Sequence, residues 1–336
     1  MALRWKKVLG STLLAVFALA AAALLTTGLW RVFVGPKARA VANRRFEPST
    51  ARLERGKYLV EDVMGCFYCH SERDWKADGA PPIESKKGAG AEFHGGPGKV
   101  IAPNITPDNE TGIGGWSDDE LARAIREGVS RDGHALFPIM PYMNYRQLSD
   151  EDVESVVVYL RTVPAVRNAL PKSTLIFPLN LLVNTMPQPL ETAVAAPDNS
   201  TVVKRGEYLT KMASCNDCHT PMEKGQPIAG MAFAGGFTLN EPSGEVTSSN
   251  ITSDPSGISY YDETLFVEAM RTGQVKARKL NPTMPWALYG KMSDEDLKAI
   301  FAYLRSLPQV SHKVDNTVPP TPCKVCKANH GFGDRN

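Results

Sequence analysis

Neither sign of charge dominates this sequence. Across 336 residues, 38 Lys and Arg face 36 Asp and Glu, a formal net charge of +2. Nucleic-acid binders need a basic excess to neutralise phosphates, so no nucleic acid is expected as a partner. Strand-like alternation of apolar and polar residues is also missing over any useful length, which leaves no signal for a sheet. Cysteine is sparse and comes in pairs: Cys66 with Cys69, Cys215 with Cys218, and Cys323 with Cys326. Four-coordinate zinc would need a second close ligand pair beside either of the first two, and neither has one. A thioredoxin-type dithiol would need a βαβ setting, which is absent.

What is present begins at the N-terminus. Val8 to Leu29 are 22 consecutive uncharged residues, enough at about 1.5 Å per residue to cross a bilayer as a helix. Trp5 and Trp30 flank the run where interfacial aromatics sit. The run is too long for the core of a cleaved signal peptide, and the A-x-A at Ala38–Ala40 lies beyond Arg31 and Lys37. An uncleaved transmembrane helix over 8–34 is therefore expected. Residues 1–37 hold five basic residues and no acid, so the remainder is slightly acidic, with 33 Lys and Arg against 36 Asp and Glu.

The chain repeats itself. "RGKYLVE" at 55–61 returns as "RGEYLTK" at 205–211, "CFYCH" at 66–70 as "CNDCH" at 215–219, and "NITPD" at 104–108 as "NITSD" at 250–254. "IMPY" at 139–142 returns as "TMPW" at 283–286, "LSDEDV" at 148–153 as "MSDEDL" at 292–297, and "YLRTVP" at 159–164 as "YLRSLP" at 303–308. Six landmarks in one order, with the offset drifting only from 150 to 144, mark a duplicated domain.

Each copy reads as helical. Ser149 with Asp152 three residues later is a capping pattern, and Val153, Val156, Val157 and Leu160 then share one face until Pro164. Ser293, Asp296, Leu297, Ile300, Phe301 and Leu304, stopped by Pro308, repeat the pattern. A middle helix begins near Ser117 with Glu120 and ends at Gly128, and its counterpart ends at Gly273. A first helix runs into each cysteine pair through Gly56 and Gly206. The expected fold is all-α with long loops: domains over 50–164 and 201–310, a proline-rich linker over 165–200 and a tail over 311–336. The linker reads as ordered, because Leu175, Ile176, Phe177, Leu179, Leu181 and Leu182 call for burial.

His70 and His219 directly follow the first two cysteine pairs. C-x-x-C-H is the pattern of c-type haem attachment, in which both thiols add to the porphyrin and the histidine ligates the iron. Two such motifs predict two haem c groups, on Cys66, Cys69, Cys215 and Cys218, with His70 and His219 as axial ligands. Met140 and Met284 are the repeat-matched methionines, 70 and 65 residues after the histidines, each in a proline-flanked loop. A thioether suits low-spin iron and raises its potential, so both are predicted as the second axial ligands. Met143 is matched by Ala287, and Met64, Met222, Met231 and Met292 also lack a methionine at the matching place.

With these motifs, the "NIT" loops and the "SDED…YLR" helices, each copy resembles a class I cytochrome c. Residues 50–310 resemble the multihaem cytochrome c subunits of bacterial membrane dehydrogenases, without the third complete domain of three-haem subunits. The resemblance implies a crossing of first and last helices, with Gly56 against Tyr159 and Gly206 against Tyr303. It also implies haem attachment outside the cytoplasmic membrane. The expected protein is a single-pass protein of the bacterial inner membrane, its N-terminus cytoplasmic and its haem domains periplasmic. It would carry single electrons in a respiratory or photosynthetic chain, between donor and acceptor proteins, as a subunit or docking partner of a membrane redox complex. It would not itself be an enzyme, since two six-coordinate irons leave no position for a substrate. The alternative is a dihaem enzyme, peroxidase-like or thiosulfate-oxidising, with one haem as its catalytic site.

In "CKVCKANH" a lysine follows Cys326 where a histidine would be needed, so a third haem at Cys323 and Cys326 is not expected. A disulfide or redox tail is the plain reading, and a metal half-site with His330, or an unusual third haem using Lys327 or His330, the alternative. His94 and His134 lack histidine counterparts and read as surface or propionate-region residues. Trp116 and Tyr261 read as packing.

Overall fold

Two helices that cross at a glycine frame each half of the molecule. The computed structural model describes Thr12, Ala15, Val16 and residues 30–93, 96–241, 244–314, 321–322 and 329–330. In the first half α1 (Thr50–Tyr58) starts at Ser49, whose hydroxyl accepts the Arg52 amide at 3.2 Å, and continues as a wider π turn over Leu59–Val63. Then come α2 (Cys66–Cys69), α3 (Asp118–Glu127), α4 (Tyr142–Tyr145) and α5 (Asp150–Leu160). The second half repeats the series as α6 (Val202–Met212), α7 (Cys215–His219), α8 (Glu263–Thr272), α9 (Trp286–Tyr289) and α10 (Asp294–Ser306).

The local signals explain these boundaries. Ser117 and Glu120 form a reciprocal capping box on α3, and Ser149 and Ser293 cap α5 and α10 through the amides of Asp152 and Asp296. Val153, Val156, Val157 and Leu160 are buried, as are Leu297, Ile300, Phe301 and Leu304. The α1–α5 and α6–α10 crossings need glycine. A Cβ on Gly56 would lie 2.0 Å from the Ser155 carbonyl oxygen, and one on Gly206 would lie 1.8 Å from that of Ala299. Tyr159 and Tyr303 flank the same crossings, with their Cβ atoms 2.7 and 3.0 Å from those added carbons.

The fold is mixed rather than all-α. Among the described residues β1 (Ala91–Phe93), β2 (Gly98–Ala102) and β3 (Thr174–Leu175) form one antiparallel sheet. Four two-stranded pairs join β4 (Met222–Glu223) to β5 (Gln226–Pro227), β6 (Thr238–Glu241) to β7 (Gly244–Thr247), β8 (Gln274–Val275) to β9 (Arg278–Lys279), and β10 (Thr321–Pro322) to β11 (Asn329–His330). These strands are too short for alternation to register in sequence. They form because backbone groups of long loops must find partners.

The expected transmembrane helix over 8–34 is also corrected. Among the described residues no helix is long and apolar enough to cross a membrane. The run 8–29 lies outside the described residues except for Thr12, Ala15 and Val16, and Arg31–Val34 form only a four-residue helix.

The linker is held to the first half. β3 pairs with β2, the Ser173 hydroxyl accepts the Ile101 amide at 2.9 Å, and the Asp150 amide donates to Val194 O at 3.0 Å. Its apolar residues are not all covered, contrary to expectation. Ile176, Phe177 and Leu182 are 55%, 78% and 41% exposed.

Candidate functional site

Each cysteine pair sits on a sharp turn. Gly65 (φ 62°) and Ser214 (φ 55°) both adopt the left-handed conformation that redirects the chain into α2 and α7. Glycine does this without strain, serine at a cost of about 1 kcal/mol. The Gly65 position has a second reason for lacking a side chain: a Cβ there would lie 2.4 Å from Leu288 of the second half. The Ser214 hydroxyl instead accepts a bond from Asn144 Nδ2 of the first half at 3.2 Å.

The two histidines are held alike. His70 Nδ1 lies 2.7 Å from Pro103 O, and His219 Nδ1 lies 2.7 Å from Ser249 O. A carbonyl can only accept, so each Nδ1 carries the proton and each Nε2 presents a lone pair. Burial holds both imidazoles below their usual pKa, and the carbonyl bonds oppose this only in part. Neutral imidazole with a free Nε2 is the form that ligates a metal.

The "NIT" loops set these carbonyls. Asn104 Oδ1 accepts the amide and hydroxyl of Thr106 at 2.9 and 2.8 Å, while Nδ2 donates to Val166 O at 2.7 Å. Asn250 does the same with Thr252 at 2.9 and 2.8 Å and with Val310 O at 2.8 Å. Each buried amide therefore ties the loop to the segment after the closing helix and fixes the carbonyl of the residue before it. The sequence marks these segments only as repeated loops and does not single out Pro103 and Ser249, because a backbone acceptor has no side-chain signature. Their position just ahead of a repeated buried Asn was the available signal.

Cys66 and Cys215 are half-buried, and Cys69 and Cys218 are exposed. Burial, reinforced by the neighbouring cysteine, pushes the Cys66 and Cys215 thiols up to about 12. A redox dithiol needs the opposite shift. Among the described residues no group of three or more His, Cys, Asp or Glu gathers to hold a bare metal ion.

Met140 and Met284 sit in equivalent loops, partly buried against the core. In both, the methionine carbonyl accepts the amide two residues on, at 2.7 Å, from Tyr142 and Trp286. Tyr142 and Trp286 are themselves buried, and among the described residues Tyr142 Oη and Trp286 Nε1 find no acceptor. Two orphaned donors at matched positions beside the methionines suit the carboxylates of a bound porphyrin. Together with the thiols, imidazoles and thioethers, they make the donor set fit haem c. The competing methionines lie elsewhere: Met143 is 51% and Met222 42% exposed, while Met292 is core.

His134 is exposed and paired with Asp132. Trp116 and Tyr261 pack against the core. His94, Cys323, Cys326 and the side chain of His330 lie outside the described residues.

A family model described as cytochrome c matches residues 53–164 and 203–308. The chain is similar to the fructose dehydrogenase cytochrome subunit of Gluconobacter japonicus, 31% identical over 76% of this chain and 52% of that protein. It is similar to the gluconate 2-dehydrogenase cytochrome c subunit of Pantoea cypripedii, 29% identical over 78% of this chain and 60% of that protein. It thus spans little more than half the length of these two relatives. A dihaem c-type cytochrome of Cereibacter sphaeroides is 28% identical over 79% of this chain and 89% of its own length. With both repeats matched by one family and haem c the cofactor that the motifs fit, the chain belongs to the cytochrome c family.

Proposed function

We propose that this chain is the electron-carrying cytochrome subunit of a bacterial dehydrogenase and holds two haem c groups. Cys66 and Cys69 would attach one and Cys215 and Cys218 the other. His70 with Met140, and His219 with Met284, would be the axial ligands. The attachment domains are 50–164 and 201–310, joined by 165–200. Bound haem iron takes up and gives back one electron. The chain's own residues hold the imidazoles neutral, keep the Nε2 lone pairs free and enclose the site in apolar surroundings. Substrate oxidation would belong to a partner subunit, since His70 with Met140 and His219 with Met284 would leave the iron no position for a substrate. In this reading the folded part works on the outer face of the cytoplasmic membrane, where haem c is attached, and serves a respiratory chain.

The observation that carries this reading is the matched pair of histidines, His70 buried and His219 half-buried, each with Nδ1 committed to a carbonyl at 2.7 Å. The test is a haem assay on the denatured protein together with the ferric near-infrared spectrum. Two covalent haems per chain and a methionine-to-iron band of full intensity for both support it. Fewer than two haems, or carbon monoxide binding to the reduced protein, would overturn it.

A further inference from the structure

Among the residues that the repeat keeps and haem ligation does not use are the Arg and Tyr of "RGxY" and the second Asp of "SDED". They meet across the boundary between the halves. Tyr58 donates to Asp296 Oδ2 of the second half at 2.5 Å, and Tyr208 donates to Asp152 Oδ2 of the first half at 2.5 Å. Each carboxylate is also gripped by the arginine of its own half. Arg55 binds Asp152 through Nε at 2.7 Å and Nη2 at 2.9 Å, and Arg205 Nε binds Asp296 at 2.5 Å. The amides of Ser293 and Ser149 donate in turn to the Tyr58 and Tyr208 hydroxyls, at 3.3 and 3.5 Å. The tyrosine–aspartate and serine–tyrosine bonds each have their mirror, so at these clasps the halves form a pseudo-twofold pair.

The same relation reaches the cysteine turns. Asn144 and Leu288 hold matching places after the methionines. Leu288 packs on Gly65, just ahead of Cys66. Asn144 Nδ2 reaches Ser214, just ahead of Cys215, and both oxygens of Asp217 at 3.0 Å. Both attachment turns therefore lie at the boundary that the tyrosines close.

We infer that Tyr58 and Tyr208 are positioning residues whose crossed bonds to Asp296 and Asp152 dock the halves, so that haems held at the two attachment turns would exchange an electron at fixed separation. This rests on the proposed dihaem reading. The exchange makes no bond and moves no proton; the electron lost by one iron is the one gained by the other.

The test uses the full-length, haem-loaded chain and the variants Y58F, Y208F and Y58F/Y208F, which keep the ring and remove only the hydroxyl. Amide hydrogen exchange over 142–152 and 286–296 reads docking without any redox step. Each single variant should lower protection there about tenfold and the double about a hundredfold, with α3 and α8 unchanged. Electron redistribution between the haems after flash photoreduction should slow in the double variant, while each haem keeps its wild-type spectrum. Wild-type protection in the double variant would overturn the clasps. Lost protection with an unchanged redistribution rate would overturn the positioning role. A chain with fewer than two haems would refute the dihaem reading, and the exchange data would still judge the clasps.

Discussion

Replacing Gly56 or Gly206 with alanine reverses the usual sign of a helical Gly→Ala change. On an exposed helix surface the substitution stabilises by about 1 kcal/mol, through lower unfolded-state entropy and better propensity. Here the new methyl would sit 2.0 Å from Ser155 O or 1.8 Å from Ala299 O. Ordinary contact begins near 3.4 Å, so the backbones must part by about 1.4 to 1.6 Å. The obstructing atoms are carbonyls inside α5 and α10, and no side chain can rotate away to make room. A radial gap of 0.5–1 Å already forfeits a quarter to a half of a dispersion contact, so the whole crossing loosens. Overpacking of this kind costs about 3 kcal/mol; set against the propensity gain, each variant should be less stable by about 2 kcal/mol, G206A by slightly more. Guanidinium unfolding followed by far-ultraviolet circular dichroism measures it. Thr264→Ala, on the exposed face of α8, is the control and should stay within about 0.5 kcal/mol of wild type. If G56A or G206A matched or exceeded wild-type stability, the close crossing would be wrong.

Met140→Ala and Met284→Ala should each remove half of the methionine-to-iron band and lower the potential of one haem, so an unchanged ferric spectrum in either would reject that ligand. Asn104→Ala should cost about 2 to 3 kcal/mol by orphaning the buried Thr106 amide and leaving the Val166 carbonyl only the Thr106 hydroxyl at 3.3 Å, and should broaden the His70 ring signals; retained stability would remove the Asn from the histidine's support. Burial first, and then the Asp296 carboxylate, raise Tyr58 from 10.0 to about 12. The neutral phenol is thus favoured in the folded state, and its contribution is whole below pH 10 and lost as pH climbs towards 12. Ultraviolet difference titration of wild type against Y58F checks this, and a Tyr58 phenolate forming near pH 10 would refute it.

The helices were legible because their signals are local. Ser117 with Glu120, Ser149 with Asp152 and the i, i+3, i+4 faces need no tertiary partner to be read, and each appears where its residues require. The haem motifs were legible because duplication supplied an internal control for every landmark. The sheets were not, because β4 to β11 run two to four residues and exist only where loops meet. Nor were the roles of Tyr58 and Tyr208. The repeat displays each tyrosine beside its own glycine, and nothing in a linear pattern says that its partner lies in the other copy.

The same logic explains where the copies differ. Asp119, Arg123 and Glu127 on α3 are buried at 4%, 6% and 0% exposure, an arrangement that a polar helix face would not suggest. The segment ahead of α1 and the linker cover them. Arg39 reaches Asp119 at 2.8 Å and Glu127 at 2.7 Å, the Ala42 amide reaches Asp119 at 2.7 Å, and the Leu190 amide reaches Glu127 at 3.1 Å. On α8 the matching places hold Thr264, Glu268 and Thr272, and all three are exposed. Yet Arg126 with Asp150 and Arg271 with Asp294 keep the same bond in both halves, at 2.6 and 2.5 Å. The difference therefore tracks the covering chain rather than the domain. A buried carboxylate pair facing one half-buried guanidinium is stable only while all partners are present, since either carboxylate left alone would be an uncompensated buried charge. Once no strap lies over a helix, that requirement disappears, and hydroxyls in water serve as well as the buried pair does under cover.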